Sequence, residues 1–338
     1  MDHRFQLGIL DQLASGSGQV SRSTKRLQKI DEWLDWKPLY EIGRRIDKTS
    51  PKGGQPRKPV RWMIRGLFLQ YLYQLSDPQL EDQLIDRLSF RRFVGLPLDQ
   101  SVPDFSTFWR FREALTSQGL VSEMFAEINR QLEAKGLLFK QGTVVDASII
   151  NSPGRPLSDK KRAELDKKPS SQIDTDADST KKGGRYYFGY KGYIGVNIGS
   201  KLIRRVCFTP ASPHDSTVLE GLVSEDERSL FGDKAYGRES LKQKAREHGW
   251  YYGILDKAKR NDPLSGSQKK RNTRHQRVRS QVEHPFAAIK DRYGLRWAWA
   301  KTKLRNEARF VMAAICWNIE RGITWSNKSR GITPARAT

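Results

Sequence analysis

The sequence predicts an α/β fold with a mixed sheet, preceded by a smaller all-helical region. Between Pro59 and Lys140 the apolar residues recur at helical spacing, whereas after Gly142 short β-branched runs alternate with helical segments. The chain has 338 residues, more than the usual single domain of about 100–200 residues, so two domains are expected.

Residues 1–58 are predicted to form a flexible or partly helical lead-in, because residues 20–58 are polar and contain the turn-forming run SPKGGQPRKP. Residues 59–140 are predicted to form a helical DNA-binding domain. Its elements are a buried helix (VRWMIRGLFLQYLYQL), a helix capped by Ser76, the short element SFRRFVGL, a helix capped by Asp104 or Ser106, and a helix from about Val121 to Ala134.

Residues 141–322 are predicted to form the catalytic domain. It begins with the strand TVVDASII, followed by a polar segment, residues 151–184, that we expect to be an exposed or disordered insertion. Then come the hairpin RYYFGYKGYIGVNI and LIRRVCFTPA, the helix HDSTVLEGLVS, the strand SLFGDKAYG, the helix RESLKQKAREHG, the strand WYYGILDK, and helices at about Thr273–Tyr293 and Lys303–Arg321. Residues 323–338 are expected to be a basic tail. Three antiparallel strands followed by alternating helices and parallel strands are typical of a ribonuclease-H-like core.

The charge is strongly basic and unevenly distributed. The chain holds 61 Lys and Arg against 38 Asp and Glu, a formal net charge of +23. Residues 256–310 alone hold 16 basic and 5 acidic residues, a net of +11. Clustered cations beside aromatic residues favour a nucleic-acid surface. An anionic membrane surface and simple solubility are the alternatives.

Several classes of protein are excluded. A hydrophobic fraction of 37% with 10% aromatic residues is enough for a core, so a fully disordered basic protein is excluded. No apolar stretch reaches the length of a transmembrane helix, and no signal peptide is recognisable, so we expect a cytoplasmic, nucleoid-associated protein without a membrane partner. Two cysteines make neither a disulfide framework nor a four-ligand zinc site, and no Gly-rich loop indicates a nucleoside triphosphate.

Three acidic residues are candidate metal ligands and catalytic residues: Asp146 on the first strand, Asp233 at the end of the fourth, and Glu283 on a late helix. Adjacent central strands would set the two aspartates side by side, and the helix would bring Glu283 over them. Phosphodiester cleavage uses two divalent ions about 3.5–4 Å apart, and Mg²⁺ prefers carboxylate oxygens. A charge inside TVVDASII is costly to bury unless it is paired or binds metal.

The helix around Glu283 adds two candidate phosphate contacts. Arg279, Glu283, Phe286 and Lys290 lie at i, i+4, i+7 and i+11, so a continuous helix would carry them on one face. On that face Arg279 and Lys290 would reach DNA while Glu283 binds metal. The alternative is a surface Arg–Glu pair with a solvated lysine.

Taken in order, the motifs DFSTFWRFREAL, TVVDASII, YFGYKGYIGVN, TPASPHDS, FGDKAYG and RSQVEHPFAAIKDRYG resemble those of bacterial DDE transposases of the insertion-sequence-five family. The resemblance covers roughly residues 55–320. It implies a ribonuclease-H-like core with two Mg²⁺ ions, for which Mn²⁺ is expected to substitute. Residue by residue, it assigns the three acids to Asp146 in VVDAS, Asp233 in GDKAYG and Glu283 in VEHPF.

The sequence departs from that family at three places. Gln276 stands where the helix signature has Tyr, Asn197 stands where an Asp is usual, and no Trp precedes the strand YFGYK. The first departure puts a base-stacking role for that position in doubt. All three acids are nevertheless present in a chain of the family's full length.

Further DNA-contact candidates lie on both domains. Lys191 and His214 fall near the expected active face, although His214 has the alternative role of capping the following helix. Lys234 follows the second acid. The helix beginning DFSTFWRFR could meet DNA through Arg110 and Arg112, or it could belong to an ordinary bundle with solvated arginines.

The sequence therefore predicts a transposase that cleaves DNA at element ends and joins the freed 3′-hydroxyl to target DNA. Its expected partners are the terminal inverted repeats, the target DNA and a second protomer, giving a homodimer or larger assembly on paired ends. The Trp-rich stretch LRWAWAKTKLRNEARFVMAAICWNIERGI could serve that interface or form a core helix. The alternatives are a ribonuclease-H-like nuclease or recombinase without transposition, and a non-catalytic DNA-binding protein.

Overall fold

The computed structural model describes residues 21–46, 57–138, 141–168, 170–223, 227–258 and 261–329. The chain divides into two compact units, Met1–Gln131 and Leu132–Thr338. Among the described residues no helix is long and apolar enough to cross a membrane.

A run of seven helices begins in the first unit, and the last of them crosses the boundary into the second. They are α1 (Arg22–Trp33), α2 (Lys37–Arg44), α3 (Val60–Leu72), α4 (Asp77–Asp86), α5 (Leu88–Val94), α6 (Phe105–Ser117) and α7 (Leu120–Ala134). The central helix α3 is buried on nearly every side, as its all-round apolar sequence predicts. Helices α1 and α2 lie within residues 1–58, in agreement with the partly helical alternative for that segment. Leu27 and Ile30, three residues apart on α1, and Leu39 on α2 are fully buried.

Two predicted helix starts are confirmed by their caps. The Ser76 hydroxyl accepts a hydrogen bond from the Gln79 backbone N–H, and the Gln79 side chain accepts one from the Ser76 N–H, forming a capping box. Of the two candidate caps for α6, the structure selects Asp104, whose carboxylate accepts from the Thr107 N–H at 2.8 Å. A hydrogen bond from the Ser106 hydroxyl, followed by the one from the Thr107 N–H, lowers the pKa of Asp104 to about 2.

The second unit is built on a six-stranded mixed sheet: β1 (Thr143–Asn151), β2 (Asp178–Lys182), β3 (Arg185–Asn197), β4 (Ile203–Pro210), β5 (Ser229–Gly232) and β6 (Tyr251–Ile254). Strand β1 lies between antiparallel β3 and parallel β5, and β6 extends the parallel side. Strands β2 and β4 both pair antiparallel with β3. The predicted mixed sheet of a ribonuclease-H-like core is confirmed.

Five helices accompany this sheet: α8 (Asp159–Lys167), α9 (Glu239–Glu247), α10 (Gly266–Arg279), α11 (Glu283–Ala287) and α12 (Lys303–Ser329). Helix α10 starts several residues before the predicted Thr273, because Ser265 and Gln268 form a capping box ahead of it. Helix α12 continues past the predicted Arg321 into the expected tail, of which residues 330–338 lie outside the described part.

The polar segment 151–184 is largely exposed, as one of the two predicted alternatives has it, but it contains α8 and β2, and the buried carboxylate of its Asp174 accepts a hydrogen bond from the Tyr190 hydroxyl at 2.7 Å. One local prediction is wrong. The segment HDSTVLEGLVS forms two 3₁₀ turns, Asp215–Thr217 and Leu219–Leu222, rather than a helix. Both segments are in contact with side chains elsewhere in the unit. Local composition does not reveal such contacts, so the local structure could not be predicted from it.

The core lies on both faces of the central strands. One cluster includes Val145, Tyr193, Leu230 and Tyr236, all fully buried. On α12, Phe310 packs so closely on Gly192 of β3 that a Cβ there would lie 2.5 Å from its ring. The buried run of α12 from Phe310 favours the core alternative for most of the Trp-rich stretch.

Candidate active site

The parallel pairing of β1 with β5 aligns two acidic residues. Val144 pairs with Phe231, and Asp146 and Asp233 each follow two residues later. Continuing the same register sets the two aspartates opposite each other, with Asp233 directly after the last residue of β5. The predicted side-by-side placement of these two acids follows from this register.

A single guanidinium joins the two carboxylates. The Nη2 atom of Arg279 donates to Oδ2 of Asp146 at 3.0 Å, and its Nη1 lies 3.8 Å from Oδ1 of Asp233. The side chains are 17%, 22% and 38% exposed, respectively, so all three are partly shielded from water. Both carboxylates therefore face one point, where a cation already lies between them.

Local contacts fix the orientation of each aspartate. Oδ1 of Asp146 accepts from the N–H of Ala147 at 2.9 Å, and Oδ1 of Asp233 accepts from the N–H of Lys234 at 2.8 Å. Gly232 lets the strands approach beneath them, since a Cβ at that position would lie 2.9 Å from the Ile254 side chain. Asp146 is thus held within β1, and Asp233 directly after the end of β5.

Glu283 lies one short turn beyond Arg279. Helix α10 ends at Arg279, a 3₁₀ turn covers Ser280–Val282, and Glu283 opens α11 with an exposed side chain. Within the described ranges no group of three or more His, Cys, Asp or Glu side chains could hold a metal ion. The structure brings Asp146 and Asp233 together, and Glu283 does not complete a three-carboxylate cluster in this conformation.

The expectation of one continuous helical face is not met. Beyond α11 the chain forms a π-helical turn, Ala288–Arg292, so the helical phase changes between Glu283 and Lys290. Phe286 is buried, and burial followed by the charges of Arg296 and Lys182 lowers the pKa of Lys290. Lys290 therefore belongs to a different cluster of cations.

Two donors beside the aspartates make no hydrogen bond among the residues that the structure describes. They are the hydroxyl of Tyr236, a side chain 1% exposed, and Nε of Arg279. Burial, followed by the negative charges of Asp146 and Asp215, raises the pKa of Tyr236 well above its ordinary value. The hydroxyl therefore stays protonated at neutral pH and can donate.

A fourth carboxylate stands near these groups. Asp215 forms an ion pair of 3.0 Å with Lys191 and accepts from the Tyr193 hydroxyl at 3.2 Å. Lys191 also donates to the Pro213 carbonyl at 2.8 Å. The sequence does not mark Tyr236 and Tyr193 as functional, because a tyrosine among apolar residues is ordinarily part of the core. The motif HDS was the one sequence signal for Asp215.

The remaining predicted DNA-contact residues of the second unit are His214 and Lys234. The Nδ1 atom of His214 lies 2.7 Å from the Ser216 hydroxyl and 3.3 Å from the Ser216 N–H, which is the capping alternative. Arg238 donates to the same hydroxyl at 2.7 Å. Lys234 is exposed next to Asp233.

Helix α10 carries a basic stripe on the side away from the sheet. Lys270, Arg274 and Arg277 are exposed, and at 100° per residue they fall within a 60° sector. Arg279 lies on the opposite side of the same helix. No ion pair or hydrogen bond engages the three stripe side chains among the described residues, so they are available to an anion.

In the helical unit the two arginine candidates differ. Arg110 is exposed, with the exposed rings of Phe105 and Trp109 beside it on α6. Arg112 donates to both oxygens of Asp77, with Nη2 to Oδ2 at 2.9 Å, and each side chain is only 20% exposed. This geometry gives Arg112 a structural role and leaves Arg110 facing solvent.

The carboxylates at this point are suitable ligands for a hard divalent cation, but the Arg279 guanidinium lies between them. Two carboxylates converge on a point where a guanidinium already stands as a cation, and the two unpartnered donors nearby suit bound water or a phosphate oxygen. Asp146 and Asp233 are the residues that would hold the ion. For it to bind, Arg279 has to move.

Two family descriptions match this chain, and a solved structure is similar to it. Residues 137–319 match the family described as "Transposase DDE domain", and residues 16–114 match "Transposase domain (DUF772)". A solved piggyBac transposase, in a synaptic complex with hairpin DNA, is similar with a TM-score of 0.48 and 10% sequence identity over 91% of this chain and 74% of that chain.

Proposed function

This chain belongs to the family of DDE transposases, and we propose that it cleaves DNA at the ends of an insertion element and joins the freed 3′-hydroxyl to target DNA. Its family makes it a DNA transposase that depends on divalent metal. The proposal adds which residues are catalytic, which metal ion they bind, and that cleavage comes before joining. A DNA substrate also favours a location at the nucleoid.

The observation that carries the proposal is the shared contact of Asp146 and Asp233 with Arg279. Two like charges on adjacent strands repel each other unless a cation lies between them. A fold that keeps both carboxylates partly buried at one point is suited to bind a cation there. Glu283 opens the next helix and supplies the third carboxylate.

We assign Mg²⁺ to this site, as two ions, with Mn²⁺ as a substitute. When bound, such ions activate the attacking oxygen and stabilise the leaving oxygen of the phosphodiester. Asp146 and Asp233 would hold the ions, with Glu283 as the third carboxylate. Arg279, once released from the carboxylates, would bind a phosphate oxygen, and the Tyr236 hydroxyl would donate within the same pocket.

DNA contacts extend from this pocket. Lys234 directly follows Asp233 and is exposed, Lys191 pairs with Asp215, and the basic stripe of α10 follows the DNA backbone outside the pocket. In the helical unit, Arg110 with its neighbouring aromatics is positioned to meet the terminal repeat. Each such phosphate contact adds affinity through the release of counterions.

Three near-isosteric variants test the catalytic assignment. Asp146→Asn, Asp233→Asn and Glu283→Gln should each abolish strand cleavage of a DNA carrying the terminal repeats and leave DNA binding intact. Arg271→Gln, on the same helix as Arg279 but paired with Asp256, is the control and should cleave normally. Cleavage at the wild-type rate by any acid variant would remove that residue from the site.

The alternatives give different results with the same DNA. A nuclease without transposition would cut but never join a pre-formed 3′-hydroxyl end to target DNA. A non-catalytic DNA-binding protein would bind equally with and without Mg²⁺, and Asp146→Asn would change nothing.

We also propose a homodimer or larger assembly on paired DNA ends. Both ends of an element must be held together, and a net charge of +23 opposes self-association until DNA neutralises it. Mass measurement should give a monomer for the protein alone and at least two protomers with terminal-repeat DNA. A cleavage-competent complex of one protomer with one DNA end would contradict this assignment.

A further inference from the structure

A patch of exposed rings and cations lies in the second unit, away from the two aspartates. Two large aromatic side chains are exposed there, Trp297 by 43% and Trp299 by 58%. The centroids of the two indole rings are 6.3 Å apart, with a 40° angle between their planes. Exposed apolar side chains that cluster, unlike single ones, mark interaction sites.

Backbone pairing holds the patch in place. Trp297 forms a parallel bridge with Asn151 at the end of β1, and the Ala298 N–H donates to the Asn151 carbonyl at 2.7 Å. Because Ala298 is buried, the side chains before and after it are directed outward. The exposed rings therefore stand on a segment fixed to the sheet.

Cations surround these rings. Lys182 ends β2, and both Lys182 and Arg296 lie near enough to Lys290 to help lower its pKa. One acid, Asp291, pairs with Arg296, its carboxylate 2.6 Å from the guanidinium. The patch (Lys182, Lys290, Arg296, Trp297 and Trp299) thus combines two aromatic rings with three cations.

We infer that this patch binds an unpaired DNA strand, with bases stacked on Trp297 and Trp299 and phosphates held by the surrounding cations. Duplex DNA presents no free base faces, whereas unpaired bases stack on aromatic side chains. Five residues of β1 separate Asp146 from Asn151, about 17 Å at 3.3 Å per residue. That distance equals about five base-pair steps, so a strand freed near the aspartates could reach the patch.

The inference rests on the proposed function for its choice of DNA, and it is tested without cleavage. Fluorescence anisotropy in EDTA would measure binding of a labelled 15-nucleotide single strand to the full chain, beside an abasic strand of equal length and a duplex. Wild type should prefer the strand with bases over the abasic strand. Trp297→Ala and Trp299→Ala should each weaken single-strand binding about 5- to 100-fold and leave abasic binding unchanged.

Two controls separate stacking from general effects. Trp299→Phe keeps a ring and should retain most of the affinity, and Leu304→Ala removes another exposed apolar side chain, 49% exposed, without effect. Lys182→Gln and Arg296→Gln should lower the salt dependence while preserving the preference for bases.

Equal affinity of wild type for abasic and normal strands would overturn the inference, as would unchanged single-strand binding in both tryptophan variants. A change of molecular mass in those variants, with single-strand binding unaltered, would assign the patch to contact between protein copies and overturn it too. Wild-type cleavage by the acid variants would count against the proposed function and leave these binding measurements as they are, so failure of the two proposals can be told apart.

Discussion

The guanidinium of Arg279 lies 3.0 Å from the carboxylate of Asp146, although 133 residues separate them in the chain. The same guanidinium reaches Asp233 at 3.8 Å. One guanidinium therefore lies between both aspartates and offsets part of their repulsion.

Replacing that cation should expose the repulsion between the acids. Arg279→Gln is expected to lower the free energy of unfolding in EDTA by about 1–3 kcal/mol, because a charged hydrogen bond is lost. Added Mg²⁺ should raise the melting temperature more in the variant than in wild type, since no guanidinium has to be displaced. Thermal unfolding with and without Mg²⁺ measures both effects, with Arg271→Gln as the same-helix control. Equal Mg²⁺ stabilisation in variant and wild type would contradict this role.

The Tyr236 hydroxyl should matter for cleavage and not for folding. It is buried without a partner among the described residues, so Tyr236→Phe is expected to change the free energy of unfolding by less than about 1 kcal/mol. If the hydroxyl positions a group in the pocket, single-turnover cleavage should slow about 10-fold, in the range of a lost hydrogen bond. Denaturant unfolding and rapid-quench cleavage assays give the two numbers. A variant that is strongly destabilised, or one that cleaves at the wild-type rate, would argue for an ordinary core tyrosine.

Arg110 and Arg112 should respond in opposite ways. Arg112→Gln breaks a largely buried pair with Asp77 and is expected to cost about 2–3 kcal/mol of stability. Arg110→Gln should leave stability within about 0.5 kcal/mol and reduce the salt dependence of terminal-repeat binding by about 0.9 in log–log slope. Denaturant unfolding and binding titrations at several salt concentrations compare the pair. An Arg112→Gln variant that is as stable as wild type but binds DNA weakly would assign the DNA contact to Arg112 and contradict its structural role.

The basic stripe of α10 should account for about three phosphate contacts. Neutralising Lys270, Arg274 and Arg277 to Gln is expected to lower the slope of log affinity against log salt by about 2.7. The matched control neutralises three exposed cations of α9 to Gln: Lys242, Lys244 and Arg246. Equal losses in both triple variants would mean that net charge, and not the stripe, sets the affinity.

Stability should fall on mild acidification because of His275. Its side chain is 3% exposed, its Nε2 lies 3.0 Å from the Tyr251 hydroxyl, and burial followed by the charge of Arg271 lowers its pKa. The unfolded chain, with a His pKa of about 6.5, then binds the proton more readily than the folded chain. Stability is therefore fully present above pH 6.5 and declines as the pH falls below it.

Urea unfolding at pH 7.5 and 5.5 measures this loss. His275→Gln should be less stable at pH 7.5 but should lose less on acidification than wild type. Replacing the exposed His248 with Gln should leave the pH dependence unchanged. An unchanged pH dependence in His275→Gln would show that another group titrates.

Much of the fold could be predicted because local pattern and tertiary packing agree. The β-branched run around Asp146, the hairpin of β3 and β4, and the capped helices at Ser76 and Asp104 each carry a signal within a few residues. The alternation of strands and helices also predicts parallel neighbours, which set Asp146 beside Asp233. For these elements the nearest neighbours in sequence decide the backbone.

Other features depend on distant partners and could not be predicted. The polar segment 151–184 becomes a helix and a strand because β3 offers an edge and Asp174 a buried hydrogen bond. The helical phase after Glu283 changes at a π turn, which takes Lys290 away from the site that its spacing predicted. Arg112 forms an ion pair with Asp77 on another helix, and the sequence around Arg112 does not reveal this contact.

By itself the sequence determined the class of fold, the DNA partner and the acids at which chemistry is expected. These three features depend on residue type and on short-range periodicity. Only the tertiary structure decided which charged groups meet: Arg279 lies between two aspartates, and Asp215 pairs with Lys191. It also decided that Trp297 is exposed beside the end of β1. The physical reason is that electrostatic and stacking interactions act over a few ångströms in space, and separation along the chain does not fix that distance.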